Sequence, residues 1–97
     1  MNENVKWTRE TVLEEAKNCV CGQREQDYDS PEDSFGRIAA LWTAYKDIDF
    51  SPVDVAVMMA LLKIARIANN PKHMDSWVDL AGYAACGGEI AQSGREP

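Results

Sequence analysis

Histidine is nearly absent from this chain of 97 residues, and so is any concentration of positive charge. One histidine, His73, stands beside 10 lysines and arginines, which are outnumbered by 16 aspartates and glutamates for a net charge of -6. Nucleic-acid binders need a dense basic face to displace counterions, so general DNA or RNA binding is not expected. With a single candidate base, a Ser-His or Cys-His nucleophile has no visible support. No apolar run reaches the roughly 18 residues of a membrane span. Met1-Asn2-Glu3-Asn4 lacks the basic-then-apolar character of a secretory signal, so the expected location is the cytoplasm.

Three cysteines, Cys19, Cys21 and Cys86, are an odd number without the C-x2-C spacing of a structural zinc site. They read as small helix residues, and no metal is expected. Alternating β-branched runs and Asn-Gly or Asp-Gly turns are missing too, which leaves no strand signal. No glycine-rich phosphate loop is present; Gly87-Gly88 falls near a helix end rather than its start.

What remains is helical punctuation. Thr8 caps a first helix over roughly residues 8 to 21, with Val12, Ala16, Cys19 and Val20 as its stripe and Gly22 beyond its end. The charged stretch Gln23 to Asp29 reads as a loop. Ser30-Pro31-Glu32-Asp33 opens a second helix, where serine caps, proline fits the first turn and the acids meet the positive helix end. Its apolar positions Phe35, Ile38, Ala39, Trp42 and Tyr45 place two large aromatics toward the core.

Ser51-Pro52-Val53-Asp54 opens a third helix in the same way, and Phe50 is placed to staple onto Val55. This helix is apolar nearly all round, with Lys63 and Arg66 as its only cations. It is therefore expected to be the central element, buried on most sides. Asn69-Asn70-Pro71 ends it, and Asp75 is expected to begin a fourth helix reaching about Gln92. The fold expected is one all-α, four-helix domain with an ordered core over about residues 7 to 92.

The short turn after Ala68 makes the third and fourth helices an antiparallel hairpin. Residues at equal height then pair as Arg66 with Asp75, Lys63 with Asp79, Met59 with Gly82 and Ala56 with Cys86. Two readings follow. In one, the charges form an interhelical ion-pair network, and removing Lys63 from a buried pair costs about 3–5 kcal/mol. In the other, Lys63 and Arg66 face a cavity and hold a phosphate or carboxylate, oriented by Asp75 and Asp79. Gly82 then leaves room for the ligand, and Arg24, Tyr28 and Arg37 close the pocket.

The runs "SPVDVAVMMALLKIARI", "DSWVDLAGYAACGGEI" and "GQREQDYDSPEDSFGRIAALWTAY" resemble small phage and prophage proteins that carry no assigned activity. The resemblance covers roughly residues 9 to 91. It implies that the chain acts in the cytoplasm of an infected host.

More distantly, "DSWVDLAGYA" is similar to the second metal-binding helix of MazG-like nucleotide pyrophosphohydrolases, all-α oligomers that hold magnesium between E-x-x-E and E-x-x-D helices. Asp79 matches the last acid of that pattern. Ser76 stands where a glutamate belongs, and Lys63-x-x-Arg66 replaces the facing acids. What this resemblance implies is a nucleotide or anion binder that does not cleave, such as one sequestering a host defence signalling nucleotide. Magnesium enters only under the alternative of a divergent hydrolase. A second alternative is an inhibitor that meets a host defence protein through its acidic surface. A homo-oligomer is expected from the small core and the supply of Trp42, Tyr45, Trp77 and Tyr83.

Overall fold

A computed structural model of the chain describes residues 6–22 and 30–93. The described residues form four helices: α1 (Arg9–Cys21), α2 (Pro31–Lys46), α3 (Pro52–Asn69) and α4 (Met74–Gln92). Among the described residues there is no strand, and no helix is long and apolar enough to cross a membrane. The all-α architecture and the α3–α4 hairpin are as the sequence implies.

Local chemistry sets the helix starts. The Thr11 amide donates to Thr8 Oγ1 at 3.2 Å while the Thr8 amide donates to Thr11 Oγ1 at 2.8 Å. That reciprocal pair satisfies two backbone donors the helix would leave open. Ser51 and Asp54 do the same for α3, at 3.1 and 2.9 Å, and Ser30 Oγ accepts from the Asp33 amide at 3.3 Å. At Gly22 a Cβ would come within 2.5 Å of the Asn18 carbonyl oxygen, so only glycine fits the close of α1. Asp47, at φ 57°, ends α2 in the left-handed region, which aspartate tolerates better than most residues. The Phe50 amide donates to Thr43 Oγ1 at 2.9 Å and ties the α2–α3 connection back onto α2.

α4 begins at Met74, one residue earlier than Asp75. His73 occupies the cap position without a side-chain cap bond. Its Nδ1 instead lies 3.0 Å from Oγ of Ser76, the buried polar residue of the core. The Trp77 indole N–H donates to the Pro71 carbonyl at 2.9 Å and closes the turn from the other side.

The packing corrects the expectation that α3 is central. α4 touches each of the other described helices: α3 extensively, α1 along much of its length and α2 at its edge. It also holds more buried positions than any other described helix, Ser76, Val78, Gly82, Cys86 and Ile90. Only Val55 and Ala56 of α3 are buried, while Val57 and Leu61 are 52% and 57% exposed. The reason is size. A helix with alanine, glycine and cysteine along its length lets neighbours approach on several sides, whatever its hydropathy. Tyr45 is a second correction. It is 85% exposed, whereas Phe35, Ala39 and Trp42 carry the inward face of α2, with Trp42 edge-on to Phe50 at 5.8 Å.

Gly87 marks the closest approach of α3 and α4, since a Cβ there would lie 2.9 Å from the Ala56 Cβ. Gly88 faces open space. Both gain the same helix propensity on change to alanine, roughly 1 kcal/mol, but only Gly87→Ala must push the helices apart, at about 1–3 kcal/mol. Urea denaturation should therefore place Gly87→Ala below Gly88→Ala by about that difference. Equal stabilities would mean that the seam is looser than described.

Candidate binding cleft

One cleft of about 420 Å³ opens where α1, α2, α3 and α4 converge. Cys19 and Val20 come from the end of α1, and Phe35 and Ile38 from the start of α2. Met59 and Lys63 come from α3, with Val78, Asp79, Gly82, Tyr83 and Cys86 from α4. The walls are mostly apolar. Phe35 and Tyr83 lean on each other with ring centroids 6.0 Å apart and planes tilted by 33°. Pro31 and Ser34 complete the rim.

The charged feature of the lining is an ion pair. Lys63 Nζ lies 3.0 Å from Asp79 Oδ2, with side chains 14% and 35% exposed. The helix hairpin thus brings these two residues to one level, as the alternation of the two stripes implies. An ammonium has three donors, and one carboxylate contact leaves capacity for a further acceptor.

The other sequence candidates are placed differently. Arg66 and Asp75 are both exposed and form no ion pair with one another. A three-residue step along a helix turns about 60° away from the starting face, so Ile67, half-buried, continues the Lys63 seam and Arg66 leaves it. Arg66 lines a separate shallow depression with Ala65, Asn69, Asn70, His73 and Ser76. Gly82 lines the same cleft as Met59, and a Cβ there would meet Val20 of α1 at 3.2 Å. Its role is to admit α1, and it borders the cleft from that side. Arg37 is exposed on α2. Arg24 and Tyr28 lie outside the described residues.

Tyr83 and Phe35 are cleft residues that pattern reading assigned elsewhere. Tyr83 was legible as one turn beyond Asp79 on the same face of α4. Phe35 carried no signal beyond its apolar stripe. Among the described residues, no three side chains of histidine, cysteine, aspartate or glutamate gather closely enough to share a metal ion. None of the three cysteines is in a disulfide, with Cys86 buried and Cys21 exposed.

A family model described as "Domain of unknown function (DUF6378)" matches residues 11–91. The chain belongs to this family. The match takes in all of α2 and α3 and nearly all of α1 and α4. Among curated relatives, the Gene 55 protein of Mycobacterium phage L5 is 52% identical over 75 residues, 76% of this chain and 48% of that protein. The Gene 55 protein of Mycobacterium phage D29 is 43% identical over 77 residues, 79% of this chain and 51% of that protein. The chain therefore spans about half the length of the curated relatives it matches. The expected kinship with phage proteins is sound, and none of these matches points to MazG-like enzymes. No solved structure matches the chain.

The cost of disturbing the ion pair follows from its exposure. The 3–5 kcal/mol expected of a buried pair does not apply when the carboxylate is a third exposed, and about 1 kcal/mol is the appropriate scale. Lys63→Met keeps the aliphatic stem, so thermal unfolding should show a loss of no more than about that amount. A loss several times larger would make the pair a structural keystone rather than a spare contact in a cleft.

Proposed function

We propose that the domain binds a small phosphorylated molecule of the nucleotide class in the four-helix cleft and holds it without cleaving it. One observation carries this reading: a mostly apolar cleft of about 420 Å³ holds a cation, Lys63, on its wall. Small-ligand sites typically span about 300–1,000 Å³, with apolar walls and few polar groups that fix orientation. Phe35, Tyr83 and Met59 offer a base or similar flat group its apolar surroundings, and Lys63 offers the phosphate a charge-assisted hydrogen bond. Asp79 keeps the ammonium directed into the cleft.

Cleavage would need an activated nucleophile or a group of acids able to hold magnesium, and the cleft's carboxylate, Asp79, is already engaged by Lys63. Binding without turnover acts by removing its ligand from circulation. For a domain whose relatives are phage proteins, the target we favour is a signalling nucleotide of host defence.

Calorimetry of the chain against adenine and guanine mono-, di- and triphosphates and small cyclic nucleotides tests the reading. We expect at least one to bind. A lost charge-assisted bond is worth about 1.5–3 kcal/mol, so Lys63→Met should weaken binding roughly 10- to 100-fold. Silence across the panel, or equal affinity in the variant, would refute it. Magnesium-dependent release of pyrophosphate would point to hydrolysis in its place.

A further inference from the structure

Among the described residues, the outward face of α3 has no partner. Val57, Met58, Leu61, Leu62 and Ile64 are all between 41% and 57% exposed, and Ala65 and Ala68 lie open among them. Ile64, Val57, Ala68 and Leu61 fall within about 60° of arc, and the whole face spans about 160°. At these exposures the five larger side chains leave on the order of 400 Å² of surface in water, as much as the whole largest apolar patch of a typical soluble monomer.

We infer that a second copy of the chain covers this face, with α3 packed antiparallel against α3. Three observations select that occupant. First, Val57, Leu61, Ile64 and Ala68 follow steps of four, three and four, the spacing that lets one helix seat against another along a continuous seam. Second, a standard dimer covers roughly 800 Å² on each partner, which the five large residues approach once the intervening alanines and a polar rim are added.

Third, charge sets the direction. No charged residue lies on the face between Val57 and Ala68; Asp54 stands at one end and Lys72 just past the other. Aligned in parallel, two copies of a chain of net charge -6 would bring Asp54 against Asp54. Aligned antiparallel, with Leu61 opposite Ile64 and Val57 opposite Ala68, Asp54 of each copy reaches the level of Lys72 of the other. The helix dipoles then oppose favourably as well. An anionic lipid surface is a poor fit, because cationic flanks are what draw an amphipathic helix to it. Lys63 lies on the side of α3 opposite the middle of this face, so the assembly leaves the cleft open.

Sedimentation equilibrium of the whole chain at tens of micromolar should give twice the 10.8 kDa protomer mass. Leu61→Glu and Ile64→Lys should each be monomeric with unchanged helical circular dichroism. Mixed together, they should re-associate, since the antiparallel register sets Glu against Lys. Ala68→Glu, at the edge of the seam, provides the same monomeric outcome should either variant fold poorly. A wild-type monomer, a dimer that survives Leu61→Glu or Ala68→Glu, or two folded single variants that stay apart when mixed would each overturn the inference.

Discussion

The approach of α3 to α4 at Ala56 and Gly87 is the constraint from which the rest of the molecule follows. A Cβ on Gly87 would sit 2.9 Å from that of Ala56, so the two helices meet nearly backbone to backbone at this level. That contact sets the register of the hairpin. With the register set, Lys63 and Asp79 arrive within 3.0 Å of one another two turns further along the seam. Close packing at one end also leaves room at the junction with α1 and α2, where side chains as large as Phe35, Met59 and Tyr83 surround a space they do not fill.

The same contact explains why the most apolar helix is not the innermost. Burial follows how many neighbours can reach a helix, and the small residues of α4 admit three. Gly82 receives Val20 of α1 and Gly87 receives Ala56 of α3. α3, with larger side chains, meets α4 on one side and α2 on another, and the remainder of its apolar surface faces outward. Its hydropathy therefore exceeds what packing among the described residues uses.

Much of this was legible in the residues, for reasons that are local. Thr8, Ser30 and Ser51 announced three helix starts because capping is chemistry between residues three apart. Lys63 and Asp79 were found because antiparallel helices keep a constant residue sum. The same arithmetic failed one turn later, at Arg66 and Asp75, because height along the axis says nothing of rotation about it. Tyr45 and the outer face of α3 were misread for a related reason: periodicity identifies an apolar face but does not supply its partner. Phe35 joined the cleft through contacts between distant segments, which no short window of sequence contains, whereas Tyr83 stands one turn from Asp79.

Taken together, the cleft and the outward α3 face lie on opposite sides of one helix, so ligand binding and self-association can be separated by experiment. The claim on which the functional account stands is the location of the ligand. An ¹⁵N-resolved NMR titration with the nucleotide that binds best tests it most directly. Shifts should concentrate at Val20, Phe35, Met59, Lys63 and Tyr83. Shifts confined to the depression around Arg66, Asn70 and His73, or to Val57, Leu61 and Ile64 on the outer face, would contradict it.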